Sequence, residues 1–428
     1  MSTAHPQHLL LIATVGSTAE PLAVSILHWR PARVQFVFPA STSVTVDTIR
    51  RELHARGFAL PLGAYDSFCV SDHDDLAACV QEMRSNLANE VSQWWRRGDQ
   101  FRCVVDFTCG TKCMSVALGL LARPWPAVRF SYVGGEARDK EGAGRVLPGS
   151  ERVVTVTNPW GVLGYQAIED AVTAFDHHDY SEGARWLREA NRQVGDDASR
   201  KSELNALATF MEGYELWDRT EYREAYGKFD SCTKRLNDLA GALAGVERQR
   251  LREHIREARG RLDQLKHDAG IPTRALLEDL IANAERRRNE GRYVDAVARL
   301  YRAVELAAQL RLVEGYGITT DAVPVDELPE HLRRLPTATD ENGTIMVGLQ
   351  DAYALLLHKD DSLGERFAEL GWNSARSPLA SRNASIAGHG FAPVSKDVCA
   401  DLWNGALSLA GLSEEQVFQF PTLRKTNR

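Results

Sequence analysis

The sequence predicts an α/β, Rossmann-like N-terminal domain with a parallel sheet, followed by an all-α middle segment and an all-α C-terminal domain. Three observations predict it. Residues 8–157 alternate short apolar runs with amphipathic stretches. After Asn158-Pro159-Trp160-Gly161 the composition turns to long, charged, helix-forming segments. Gly270-Ile271-Pro272-Thr273 breaks that helical run, and from Arg274 the pattern is again mostly helical. The expected divisions are therefore 1–160, 161–269 and 270–428.

The strand candidates are His8–Ala13, Arg33–Phe38, Asp66–Val70, Arg102–Phe107, Arg129–Val133 and Arg152–Thr157. Helices are expected at Glu20–Trp29, Val44–Arg56, Asp74–Arg96 and Lys112–Ala122. Continuous apolar strands alternating with helices imply a parallel sheet covered on both faces. Glu136–Gly149 is polar and glycine-rich and reads as a loop. Three stretches share a local look: Phe175–Ala184, Leu216–Ala225 and Arg288–Ala296. Each ends in a polar turn followed by Tyr180, Tyr222 or Tyr293 at a helix start. This is helical-hairpin grammar, but the spacing is too irregular for a true repeat, so plain helical packing is expected. A Pro- and Gly-rich loop spans Gly315–Gly343, and the tail Thr422–Arg428 is basic.

At 428 residues the chain has room for two or three cores. A net charge of −7 argues against bulk electrostatic binding to DNA or RNA without excluding a local basic site. The seven cysteines lack zinc spacing and a disulfide framework, which suits a reducing compartment. No apolar run is long enough to span a bilayer and no signal-peptide pattern opens the chain, so a cytoplasmic protein is expected. His177, His178 and Asp179 have no further ligand nearby and read as surface residues, so no metal is expected. His358 and Trp372 read as helical packing.

The most informative run is Asp106-Phe107-Thr108-Cys109-Gly110-Thr111-Lys112, between a strand and a helix. The first-turn N–H groups of a helix, its dipole and a lysine together attract a phosphate. A lysine at a helix N-terminus is unfavourable without an anionic partner, which tells against a merely solvated side chain. GxxxxGK[ST] is absent, so this is not a P-loop, and GxGxxG is absent after the first strand, so a dinucleotide cofactor is not expected. Asp106 would repel a phosphate and reads as a loop cap or a support for Thr108. A second loop, Thr14–Thr18, ends the first strand, and ligands of such sheets bind beyond the carboxyl ends of the strands near the switch point.

The second informative run is Arg382-Asn383-Ala384-Ser385-Ile386-Ala387-Gly388-His389-Gly390. Were it helical throughout, Arg382 and His389 would share a face, roughly 10 Å apart along the axis. Arg382 can bind a phosphate through two N–H groups, His389 can exchange a proton with an RNA 2′-OH or a departing 5′ oxygen, and Asn383 can orient either. That set is competent for metal-independent RNA cleavage through a 2′,3′-cyclic phosphate. The two glycines suggest a close backbone approach or the end of the helix. Arg261 and His267 also lie near each other in sequence, but on different faces of a charged helix.

Together the two runs resemble the CRISPR-associated ribonucleases of type III systems that pair a CARF sensor domain with a HEPN nuclease domain. The likeness is strongest at Val104–Met114, close to D-x-T-G-G-T-K-x-M, and at Arg382–Gly390, similar to R-N-x(5)-H. Ala282–Leu312 also resembles the hairpin that opens such nuclease domains. Cys109 departs from the family pattern, where Gly is usual. The resemblance implies an antiviral endoribonuclease that cuts single-stranded RNA and is activated by cyclic oligoadenylate, either tetra- or hexa-adenylate, with no cofactor. It implies a homodimer with the ring across the dyad. Thr14, Gly16 and Ser17 would contact it from the first loop, and Thr108, Gly110, Thr111 and Lys112 from the fourth. Paired copies of Arg382, Asn383 and His389 would form the nuclease site. One rival is a sensor without catalysis that regulates a partner. Another is slow cleavage of the messenger in the sensor pocket, with Thr108, Thr111 and Lys112 positioning its 2′-OH. DNA binding finds no basic recognition helix.

Overall fold

Along the first strand, β1 (Leu9–Thr14), Leu9, Leu11 and Ala13 join one buried cluster while Leu10 and Ile12 join another. A strand apolar on both faces must be covered on both. In the computed structural model this is the centre of a six-stranded sheet. The structure describes residues 9–61, 63–96, 102–123, 125, 128–135, 149–243, 246, 248–266, 271–333, 343–372, 374 and 377–424. After β1 follow α1 (Glu20–Trp29), β2 (Arg33–Pro39), α2 (Ser43–Ala55), β3 (Tyr65–Val70), α3 (Leu76–Trp95), β4 (Arg102–Asp106), α4 (Lys112–Ala122), β5 (Arg129–Gly135) and β6 (Glu151–Thr157). The strand order is β3-β2-β1-β4-β5-β6. Leu22, Ile26, Ile49 and Leu53 of α1 and α2 cover one face, and Met83, Leu87, Met114 and Leu118 of α3 and α4 cover the other.

Every expected strand and helix of this region is present, with ends shifted by a residue or two. His8 and most of the expected 136–149 loop lie outside the described residues. The sheet is parallel as expected except at its edge, where β6 runs antiparallel to β5. A parallel pair needs a crossover, usually a helix, and the polar stretch between these strands carries no helical pattern. Because β1 lies between β2 and β4, chain connections leave it in opposite directions, and the loops after β1 and β4 meet at this switch point.

The chain forms two compact units, residues 1–166 with 193–195, and the remainder. The first also contains the short α5 (Pro159–Val162) and the start of α6 (Tyr165–Asp176). The second is built from the rest of α6, α7 (Tyr180–Gln193), α8 (Ala198–Asp218), α9 (Tyr222–Lys234), α10 (Leu236–Ala242), α11 (Arg248–Leu265), α12 (Arg274–Asn289) and α13 (Tyr293–Tyr316). It continues through β7 (Val323–Pro324), α14 (Glu330–Arg333), β8 (Thr344–Ile345), α15 (Leu349–His358), α16 (Ser362–Glu369), α17 (Pro378–Ala384) and α18 (Lys396–Ala410).

The three similar stretches are the turns of the α6/α7, α8/α9 and α12/α13 hairpins. Each places one left-handed residue two positions before the tyrosine: His178 (φ 62°), Thr220 (φ 63°) and Gly291 (φ 73°). The next N–H reaches back to a carbonyl near the helix end, as in Asp179 to Ala174 (2.8 Å), Glu221 to Leu216 (2.8 Å) and Arg292 to Arg287 (2.9 Å). This satisfies carbonyls the helix leaves unpaired and sends the chain straight into the next helix. The α15/α16 turn repeats the geometry at Asp360 (φ 55°), with Asp361 N–H to Leu356 O at 3.0 Å. His178 is half-buried in the turn, not a surface residue as the sequence suggested.

A polar cluster ties α8 to α12. Asp218 accepts from Arg286 Nε at 2.8 Å and also pairs with Arg287, while Asn283 Nδ2 donates to the Asp218 carbonyl at 2.8 Å. Burial works against the Asp218 carboxylate, and the two guanidiniums overcome it, holding its pKa below the usual value. Next to it, Asp279 accepts from Trp217 Nε1 (2.7 Å) and Tyr222 Oη (3.0 Å). The segment after α18 returns across these helices. Phe418 stacks on Trp217 with centroids 5.5 Å apart, Phe420 packs on Tyr214 and Trp217, each at 4.8 Å, and Arg286 lies 3.8 Å over the Phe420 ring. Asp176 then accepts the Leu423 N–H at 2.7 Å.

The remaining helices enclose a core that includes Ile281, Leu300, Tyr353, Leu402 and Trp403. Trp372 is buried there, as expected. His358 is exposed at the end of α15, so the packing role expected for it is not met.

Two outcomes follow for the second unit. Asp218→Ala leaves the buried Arg286 guanidinium without its carboxylate and Arg287 with Glu290 alone, and should lower stability by about 3–5 kcal/mol in chemical denaturation. Burial, then the nearby Arg286 charge, lowers the His178 pKa to about 4. The unfolded chain takes up that proton near pH 6.5. Stability contributed by neutral His178 is thus present above about pH 6.5 and lost as pH falls towards 4. His178→Asn, which tolerates the left-handed turn, should flatten the dependence of melting temperature on pH across that window.

Candidate functional site

At the switch point the loops after β1 and β4 lie against each other. Thr14 is fully buried and its Oγ1 donates to the Cys109 carbonyl. Gly110 has φ +87°, and a Cβ there would sit 2.9 Å from Thr14 Cβ. A Cβ on Gly16 would meet the Gly110 nitrogen at 3.0 Å. Only glycine fits both the left-handed backbone at 110 and this approach. Asp106, buried at the end of β4, accepts the Thr108 N–H at 2.9 Å and the Ser25 hydroxyl at 2.5 Å. Thr108 Oγ1 accepts the Val133 N–H at 2.8 Å. Thr111 caps α4 by accepting the Met114 N–H at 3.2 Å, and its hydroxyl donates to the His73 carbonyl at 2.6 Å.

Thr14, Gly16, Thr108, Gly110 and Thr111 thus form the frame of the two loops. Ser17 and Lys112 are exposed beside it. Lys112 is the first residue of α4 and pairs with no carboxylate among the described residues. A lysine at the positive end of a helix dipole favours an anion beside it. Cys109 is packed beneath the loop, its thiol pushed up to about 12 by burial and then by Asp106, so it stays protonated at neutral pH. The loop Ser71–Asp75 also reaches the frame, through His73 and through the Asp74 carbonyl, which accepts from Cys113 Sγ at 3.1 Å. Sequence reasoning missed this loop. Its one local signal, Asp75 as the cap of α3, says nothing about where it lies.

The Arg382–His389 segment is not a continuous helix, so the two residues do not project from one helix face. The helix α17 ends at Ala384. Ser385 closes it, its hydroxyl donating to the Arg382 carbonyl at 2.7 Å and accepting the Ala387 N–H at 3.2 Å. The chain then doubles back. His389 N–H donates to the Asn383 carbonyl at 2.8 Å, and Ala392 N–H to the Ala384 carbonyl at 2.9 Å. A Cβ on Gly388 would lie 2.5 Å from the Asn383 oxygen, and one on Gly390 under 3.0 Å from the Ala384 oxygen. The turn therefore brings His389 beside Asn383, next in sequence to Arg382. Asn383 and His389 are exposed.

The Arg382 guanidinium lies 4.3 Å over the Tyr301 ring, and its Nη1 donates to Asn383 Oδ1 at 3.0 Å. Its Nε is buried and meets no acceptor among the described residues. Tyr301, on α13, is the support that sequence reasoning missed. Among the described residues no group of three or more His, Cys, Asp or Glu is placed to hold a metal ion, and no helix is long and apolar enough to cross a membrane. Arg261 stacks over Phe418 at 3.8 Å, while His267 lies outside the described residues.

Gly390→Ala cannot keep the doubled-back turn without displacing the Ala384 carbonyl. Hydrogen exchange at the His389 and Ala392 amides should accelerate by about tenfold or more, corresponding to strain of roughly 1–3 kcal/mol.

Two family models match the chain. One described as the Csm6 6H domain covers residues 163–265, and one described as the Csm6 HEPN domain covers residues 266–412. No curated protein matches. Among solved structures, Enterococcus italicus Csm6 bound to cyclic hexa-2′-fluoro-hexa-dAMP aligns over 96% of each chain at 11% identity, with a TM-score of 0.41. The two domain matches run without a gap over more than half of the 428 residues and follow a Rossmann-like sheet. The chain belongs to the CRISPR-associated CARF–HEPN proteins of type III systems.

Proposed function

We propose that the protein is a metal-independent endoribonuclease that cuts single-stranded RNA in antiviral defence and is switched on by a cyclic oligoadenylate. The observation that carries the proposal is the glycine-locked turn. Within the segment matching the HEPN model it holds His389 against Asn383, beside Arg382, and leaves the histidine in solvent. His389 would take the proton from a 2′-OH or supply one to the departing 5′ oxygen. The 2′ oxygen bonds to phosphorus as the P–O5′ bond breaks, leaving a 2′,3′-cyclic phosphate and a 5′-OH. Arg382 would neutralise charge on the phosphate, and Asn383 would orient it. In a homodimer the two copies of this set would form one composite site.

The activator would bind residues 1–160, with Lys112, Ser17 and the amides opening α4 holding its phosphates on the frame of Thr14, Gly16, Thr108, Gly110 and Thr111. Residues 161–269 would act as the helical connector and 270–428 as the nuclease, in the cytoplasm. Cleavage of the messenger in the sensor pocket draws less from the geometry, because the Thr111 hydroxyl already donates to the His73 carbonyl.

Purified protein should cut single-stranded RNA only when cyclic tetra- or hexa-adenylate is added, and EDTA should not stop it. His389→Ala should lower the activated rate by about 10²–10⁴-fold. Lys112→Ala should weaken activator binding by calorimetry by about tenfold or more, the effect of one charge-assisted phosphate contact. Robust cleavage by the Arg382→Ala/His389→Ala protein would overturn the assignment.

A further inference from the structure

Phe391 follows the His389-Gly390 pair and is 95% exposed. Among the described phenylalanines it alone is largely in solvent. The turn enforces that exposure. Residues 390 and 391 lie between two backbone hydrogen bonds, His389 N–H to Asn383 O and Ala392 N–H to Ala384 O. Gly390 is pressed against the Ala384 carbonyl, so the chain cannot rotate the ring inward without breaking this lock. The ring is therefore presented by a fixed loop. The ring held in solvent two residues from His389 is open to an occupant, and covering it recovers burial energy.

We propose that Phe391 is the platform on which a base of the substrate RNA stacks beside the Arg382–His389 site. The proposal rests on the nuclease reading above. Single-stranded RNA is held by unstacked bases laid on aromatic rings, and every base offers such a face. A ring two residues from His389 stacks the base of a nucleotide near the reacting phosphate. It sets which nucleotide is presented there, while Arg382 holds the phosphate. The exposed neighbours favour RNA over an apolar contact between protein copies, whose buried core is mostly non-polar. Asn383 and His389 are polar, and Ile386, 73% exposed, is the only other large hydrophobic exposed within this turn.

The test uses the full chain with its cyclic oligoadenylate activator and a labelled single-stranded RNA. Phe391→Ala should raise KM about tenfold with kcat changed little, and should flatten the base preference at the cleavage site. Phe391→Trp should restore both. In a His389→Ala background, adding Phe391→Ala should weaken RNA binding, read by fluorescence anisotropy, by a similar factor. Sedimentation should show the same assembly mass for all variants. Unchanged KM, preference and binding in Phe391→Ala, with His389→Ala inactive, would overturn the platform and leave the nuclease reading standing. A lower assembly mass for Phe391→Ala would overturn it in favour of a contact between copies. Activated wild-type protein that neither binds nor cuts RNA would defeat the nuclease reading, and this proposal with it.

Discussion

Both candidate sites depend on close approaches at glycine that a Cβ would obstruct. At the switch point, Gly110 and Gly16 let the loops after β1 and β4 touch, with Thr14 hydrogen-bonded across to Cys109. In the helical unit, Gly388 and Gly390 let the chain fold back on the last turn of α17. The side chains with chemistry to offer are then the exposed ones beside each contact: Ser17 and Lys112 at the first, Asn383 and His389 at the second. A rigid contact with reactive groups at its rim holds a site in place without occupying it.

The helical unit adds a second constraint. Its hairpins are closed by one recurring left-handed turn, and α8 is joined to α12 by charge and aromatic packing at once. Asp218 answers two guanidiniums, and Arg286 is covered by Phe420 from the segment after α18. Buried ion pairs add little net stability over apolar packing, yet breaking one is costly, so they resist partial separation. The helices matching the 6H model and those matching the HEPN model are therefore held as one body. A signal that reorients the former would carry the latter with it.

Much of this was legible in the sequence. Periodicity located the six strands and four helices of the N-terminal region, and the central strands, buried on both faces, read as continuous apolar runs. The strand-to-helix turn that opens α4 with an exposed lysine was legible because hydroxylic residues, a glycine and a lysine mark it locally. The aromatic-turn-tyrosine grammar marked the hairpins correctly, although only the structure shows the shared left-handed residue. What the sequence could not fix was long-range. That His73 meets Thr111, or that Tyr301 lies under Arg382, depends on packing between segments 38 and 81 residues apart. The spacing of Arg382 and His389 was read as helical, whereas α17 ends at Ala384 and Ser385 closes it. Propensity at Gly388 and Gly390 pointed to that end, but only the hydrogen bonds of the turn show where His389 goes.

The most direct measurement of the central claim is the chemistry of the cut ends. RNA digested in EDTA, with and without cyclic oligoadenylate, can be analysed by mass spectrometry for its termini. The account predicts 5′-OH and 2′,3′-cyclic phosphate ends that appear only with the activator. Products with 3′-OH and 5′-phosphate ends, or cleavage indifferent to the activator, would contradict it.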